Sequence, residues 1–217
     1  GHFGGGIRCE NSSPKLSYLY VSSNESINGG GISCENSSPL FSNLRVFSNV
    51  GSDGGGIIIR NAPIKIILEN VEFFNNSGGN AGAISVFQSQ VEFRNSNIYG
   101  NTASSKGGGI YGSDAHIVLI NSNIISNSAP EGGACWVYNK SGIYTINSIL
   151  WNNTPDQILL QGTSGVDSLF LKNTLLMGGN EGIVTPSWFY IDGQSLDNDP
   201  LFVNSDNNDY HLQIYSP

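Results

Sequence analysis

Charge is scarce in this chain. Asp, Glu, Lys and Arg make up 12% of its 217 residues, about half the usual globular share. Asn, Ser and Gly take their place. Lys and Arg number 9 against 17 Asp and Glu, a formal charge of −8. A basic footprint for nucleic acid is therefore absent, and acidity of this size serves solubility. No apolar run approaches the ~20 residues that a membrane-crossing helix needs. Three Cys, an odd number, make no disulfide framework. No stretch sustains a 3.6-residue period, so long helices are not expected. An initiator Met and a signal peptide are also missing. The chain opens inside a repeat, as a processed chain or a piece of a larger one does.

What the chain has is a repeat. Gly29-Gly30-Gly31-Ile32-Ser33-Cys34 echoes Gly4-Gly5-Gly6-Ile7-Arg8-Cys9, and Gly54-Gly55-Gly56-Ile57 follows. Ala81-Gly82-Ala83-Ile84, Gly107-Gly108-Gly109-Ile110 and Gly132-Gly133-Ala134-Cys135 continue the series. The fourth positions step 7→32→57→84→110→135, that is 25, 25, 27, 26 and 25 residues. A period this regular marks a repeat architecture. An apolar-x-x-Asn motif runs in phase and ends on Asn24, Asn49, Asn76, Asn101, Asn127 and Asn153. Six residues before each lies a second Asn column: Asn43, Asn70, Asn95, Asn121 and Asn147, continued by Asn173. Tyr18 alone breaks it. Both columns are expected to be buried ladders in which amides bond to amides above and below, a known stabiliser of stacked parallel strands.

Between these motifs apolar residues alternate. Leu16, Leu19 and Val21 match Phe41, Leu44 and Val46, and then Leu68, Val71 and Phe73. Period-two alternation punctuated by Gly and Asn reads as short strands joined by turns. About three short strands per ~25 residues fit a parallel β-solenoid whose coils are ~4.8 Å apart. Parallel crossovers are right-handed. The expected fold is thus all-β, a single right-handed parallel β-helix of about eight coils over residues 1–217. Residues 1–153 form the regular coils and 154–217 a looser end. There Asp199-Pro200-Leu201-Phe202 leads to Tyr210, Leu212 and Ile214, which alternate as a last strand would.

The Gly-Gly-Gly-Ile and apolar-x-x-Asn pair resembles the repeats of chlamydial polymorphic outer-membrane proteins. The ending, from Asp199-Pro200-Leu201-Phe202 through Asp209-Tyr210-His211-Leu212 to Ser216-Pro217, is similar to the ending of secreted bacterial right-handed β-helix domains of the pectate-lyase-like superfamily. The resemblance implies a secreted or cell-surface protein. It leaves function open, because this fold hosts lyases, hydrolases, adhesins and passive stalks. The leading expectation is a non-catalytic structural or adhesive solenoid, either a surface stalk or a head-to-tail filament subunit. The alternative is a module that binds or cleaves an extracellular polysaccharide. The expected partners are accordingly other copies stacked end to end, or extracellular glycans.

Candidate sites are few. Alternation after the Gly run points Arg8, Ser33, Ile58, Ser85, Tyr111 and Trp136 outward, and two residues later Glu10, Glu35, Arg60, Phe87, Ser113 and Tyr138. Tyr111, Trp136 and Tyr138 are therefore expected close together on one face, as a contact surface. The other reading has a loop at Trp188–Tyr190 folding over them. Asp197, Asp199, Asp206 and Asp209 are candidate Ca²⁺ ligands, or turn formers, which Asp also favours. No other cofactor is implied. His2, His116 and His211 fall in unrelated registers. Asp and Glu rarely align on consecutive repeats; Glu10 and Glu35 do, but as repeated solvent positions beside Arg8 and Arg60, where a glycosidase needs two carboxylates facing one substrate. Cys9 and Cys34 share one inward column on adjacent coils, within disulfide range, or as two small core thiols. Asn11, Asn24, Asn36, Asn75, Asn139 and Asn152 begin glycosylation sequons, relevant only if the source glycosylates its exported proteins.

Overall fold

The computed structural model describes residues 3–162, 168–185 and 190–216, with only the backbone of 190–194. The repeats close into coils. One parallel sheet contains eight strands: Ile7–Glu10, Ile32–Glu35, Ile57–Arg60, Ile84–Phe87, Ile110–Ser113, Cys135–Tyr138, Ile158–Gln161 and Ile183–Val184. Their first residues pair in register from Ile7 to Ile183, so eight rungs define seven coil-to-coil steps. The last two rungs lack the Gly motif. The alternation of Ile158 and Leu160, both buried, suffices to continue the sheet.

A second sheet carries the longer strands, such as Leu40–Phe47 and Ile66–Phe74. Each bends at one residue with positive φ: Tyr18, Asn43, Asn70, Asn95, Asn121, Asn147 and Asn173, all between 49° and 56°. Asn tolerates this left-handed conformation better than other side chains do. A short four-stranded sheet, Glu25–Ser26 to Thr102–Ala103, runs along a corner. From there the chain turns into the Gly motif. A Cβ on Gly30 would lie 2.4 Å from the carbonyl oxygens of both Gly55 and Val50. Any side chain there would force the coils apart, and this explains the repeated glycines.

The core is the inside of the tube. Ile57, Ile59, Leu68, Val71 and Phe73 are buried on one coil and Ile84, Val86, Val91, Phe93 and Ile98 on the next. Each layer packs on its neighbours, as in other solenoids.

The end of the chain departs from expectation. Phe202–Asn204 and Asp209–Leu212 form an antiparallel hairpin, not another rung. The hairpin lies against the flank of the second sheet, where the Tyr210 ring sits 5.2 Å from that of Tyr99. The first coil keeps Ile7, Leu16 and Leu19 only half-buried, with one coil stacked on them.

Candidate functional site

Two Asn columns behave differently. Asn49, Asn76, Asn101, Asn127 and Asn153 are buried. The residue before each has positive φ, as at Ser48 and Ser126, and this turns the amide into the tube. The Nδ2 of Asn49 donates to Asn76 Oδ1 at 3.0 Å, and the chain continues through Asn101, Asn127 and Asn153 at 2.9–3.0 Å. Gln157 ends it, accepting from Asn153 at 2.8 Å. Each Oδ1 also takes the backbone N–H of the preceding rung's Asn, for example Asn76 N to Asn101 Oδ1 at 3.0 Å. The expectation of a buried, in-register ladder holds for this column.

For the other column the register and the amide bonds hold and the burial fails. Asn70, Asn95, Asn121, Asn147 and Asn173 are exposed and Asn43 is half-buried. They are in register, and Asn121 Nδ2 reaches Asn95 Oδ1 at 3.3 Å and Asn173 reaches Asn147 at 3.0 Å. Their place is set by the left-handed bend, which aims them at solvent. Beneath them a hydroxyl ladder carries the buried bonding: Ser96 N to Ser122 Oγ and Ser122 N to Ser148 Oγ, both at 3.2 Å.

The aromatic residues of the first sheet do meet. Tyr111 stacks on Trp136 with centroids 5.0 Å apart, and Trp136 on Tyr138 at 5.6 Å. The stack is not an open platform, because Trp136 is 2% exposed. The corner segments fold over this outward column. Lys106 Nζ sits 4.1 Å above the Trp136 ring, and the Asp53 carbonyl accepts the hydroxyl of buried Ser85. Ser33 and Ile58 in the same column are buried too. Burial, and then the charge of Asp53, push the Tyr111 hydroxyl above its ordinary pKa. The alternative cover at Trp188–Tyr190 lies outside the described residues, apart from the Tyr190 backbone.

The open surface is elsewhere, along the outer face of the second sheet. Tyr18 and Tyr20 are among the most exposed large side chains. With Asn43, Arg45, Asn70, Glu72, Asn95 and Asn97 they line a groove of about 600 Å³. Arg45 Nε donates to Glu72 at 2.6 Å and lies 5.1 Å over Phe74. Phe47, Phe74 and Tyr99 form a second aromatic stack at 4.7 and 5.2 Å, with the rings nearly parallel. Repeat reading missed this surface, although Tyr18 showed as the one break in an Asn column.

The remaining charges clamp coils together. Glu92 is buried and takes Lys65 Nζ from the preceding coil at 2.5 Å, together with Arg94. Burial raises the Glu92 pKa, but these cationic hydrogen bonds outweigh it and hold the carboxyl below its ordinary value. Asp53 binds Arg60 at 2.5 Å and Asn80 at 2.7 Å. Among the described residues no three His, Cys, Asp or Glu side chains converge as a metal site. Asp197, Asp199 and Asp209 instead accept nearby backbone N–H groups at 2.8, 2.9 and 3.2 Å, and Asp206 lies in the short 3₁₀ turn Ser205–Asn207. His116 stacks on Tyr144, His211 pairs with Asp209, and His2 lies outside the described residues.

Cys9 and Cys34 face each other in register as buried free thiols, and Cys135, set between Ile110 and Ile158, is a third. A hydrogen bond with Cys34, opposed by burial, lowers the Cys9 pKa to about 7, while Cys34 is raised well above its ordinary value. No described helix is long and apolar enough to cross a membrane. A family model described as the right-handed β-helix region matches residues 5–175. No curated protein and no solved structure matches the chain significantly.

Proposed function

The chain belongs to the right-handed β-helix family, and from that premise we propose that it is a non-catalytic structural and adhesive rod acting at the cell surface or outside the cell. One observation carries this reading. The charged pairs that span coils, Arg45–Glu72 and Lys65–Glu92, are spent on each other and hold successive turns together. The buried Asn ladder does the same from inside. Such a scaffold resists bending and offers its flanks and ends for contact. The extracellular placement follows from the resemblance to exported β-helix proteins. Surface proteolysis of intact source cells tests it: a chain cut only after lysis refutes an external location.

Head-to-tail stacking is supported by the half-buried Ile7, Leu16 and Leu19 and by first-coil strands paired on one side only. In this proposal the last coil of another copy stacks there and covers them. Negative-stain images of purified protein showing unbranched fibres support stacking; monodisperse single rods at every concentration refute it. The second reading is a glycan-binding flank, favoured by the groove that holds Tyr18, Tyr20 and the Asn43–Asn70 amides. A glycan array separates the two, since binding that falls with Tyr20→Ala selects the second.

A further inference from the structure

We propose that the second sheet carries a docking face for another copy of the chain, on the part of each strand that precedes the left-handed bend. The strands concerned are His116–Ile120, Gly142–Ile146 and the first half of Ser168–Leu176. Their inward residues, such as Ile117, Leu119 and Ile143, belong to the core. Their outward residues are Val118 and Ile120, Tyr144 and Ile146, and Phe170 and Lys172, in register on three successive coils. Five of these six are apolar. In the column of Ile120 and Ile146 the first two coils carry Ser17 and Ser42. The alternation of a solvated face is thus lost in mid-chain, and a near-continuous apolar run is the pattern of a strand covered on both sides. The described residues supply no such cover. The ring and hydroxyl partners of Tyr144 are His116, Phe170 and Ser168, all of the same sheet. The five apolar side chains stay half-buried. In the first sheet, where a corner does close over an outward column, Ile58 and Trp136 fall to 1% and 2% exposure.

Charge selects the occupant. One column of this face reads Glu69, Arg94, Ile120, Ile146 and Lys172 on successive coils. Arg94 is committed to Glu92. Glu69 and Lys172 are exposed, and neither has an ion-pair partner among the described residues. They stand two coils before and two coils after Ile120, each about 10 Å from it along the rod. A two-fold axis along the strand direction, passing over Val118 and Ile120, reverses one rod against the other and keeps each column facing itself. Glu69 of each copy then meets Lys172 of the other, twice. Between these pairs Ile120 lies on Ile120 and Val118 on Val118, and Phe170 lies on the outward Ile67. This is the self-complementary form of a closed dimer, with an apolar centre and a charged rim. An uncharged saccharide could use the centre and would leave both charges unmatched. The contact involves none of Ile7, Leu16 and Leu19 and is independent of end-to-end stacking.

Sedimentation velocity of the whole chain tests the proposal. The face spans five coils and one arm of each strand, so the dimer is weak, and the micromolar to submillimolar range is the one to scan. A concentration-dependent dimer is expected. Glu69→Lys and Lys172→Glu each put like charges at both ends of the interface and weaken it roughly tenfold. The two changes move net charge in opposite directions, so a loss common to both comes from position. Both sites are exposed and unpaired, so the urea midpoint stays unchanged in each. An equimolar mixture of the two variants regains wild-type association, because every crossing pair is opposite again; the double variant E69K/K172E does so alone. A wild-type monomer throughout the range overturns the proposal, and a glycan-array signal lost in Tyr144→Ala would then assign the face to a saccharide. Association that either charge reversal leaves intact also overturns it, open-ended growth by end stacking included. So does a mixture no tighter than the separate variants.

Discussion

Replacing Asn101 by Ala removes the middle of the buried amide ladder. Asn101 Nδ2 donates to Phe73 O, Tyr99 O and Asn127 Oδ1, and its Oδ1 accepts both the backbone N–H and the Nδ2 of Asn76. Asn76 Nδ2 keeps a second acceptor, Val46 O, so its loss is partial. The Asn76 backbone N–H loses its acceptor, Asn101 Oδ1, in the buried interior. An orphaned buried donor costs about 1–3 kcal/mol, and each ordinary hydrogen bond lost about 0.5–1.5 kcal/mol. Allowing for partial compensation, we expect roughly 3–5 kcal/mol. For a chain of this size that is a fall in Tm of about 10–15 °C. Asn121→Ala is the control. Asn121 is exposed, so water replaces its amide bonds, and the cost is mainly that of Ala in a left-handed bend, about 1 kcal/mol. Urea unfolding followed by circular dichroism measures both, with m checked for constancy because solenoids can unfold in parts. Equal losses for the two variants refute the assignment of one buried and one exposed ladder.

Tyr18→Asn places the residue of the other coils in the same bend and is expected to raise stability by about 1 kcal/mol; an unchanged or lower urea midpoint contradicts it. Glu92 has a folded pKa held below its unfolded value, so its contribution is complete above the unfolded pKa of ~4.3 and is lost as pH falls through the folded one. Glu92→Gln is therefore expected to flatten the drop in stability below about pH 4.5, and a drop identical to wild type counts against the clamp. Cys9 has its pKa lowered to about 7 on a coil stacked on one side, whereas burial pushes Cys135 up. Iodoacetamide at neutral pH is expected to label Cys9 first and Cys135 only on unfolding; mass spectrometry showing the reverse order refutes this.

Much of the fold was legible because each coil states it again. One Gly run, one inner Asn and one period-two stretch per ~25 residues suffice to close a turn, and six copies set the register. Which Asn column was buried was harder to read, since both columns carry the same side chain. The distinguishing signal was present in Tyr18. A column that admits a tyrosine is not closed, whereas nothing but Asn occupies the inner one from Asn24 to Asn153. The hairpin at 202–212 was read as a further strand because alternation in Tyr210, Leu212 and Ile214 says nothing about which way a strand runs or what it pairs with.

The misplaced contact face has a more general cause. Parity tells whether a side chain points into or out of its own sheet, and it assigned Trp136 outward correctly. It cannot tell whether another part of the coil lies over that outward side. In this solenoid the stretch between the inner Asn and the Gly run is long enough to arc across the first sheet, so Ser33, Ile58, Ser85 and Trp136 are outward and buried at once. No such segment follows the second sheet's bend, where only a tight turn separates the strand from the inner Asn. An outward residue there, such as Tyr20 or Arg45, stays at the surface on the early coils, whereas Ile149 and Leu175 in the same column are buried. The same parity therefore has opposite consequences for Trp136 and for Tyr20, and the length of the following corner decides between them. On that argument contact surfaces in this chain belong beside its short corners, which is where Tyr18, Tyr20 and Arg45 stand.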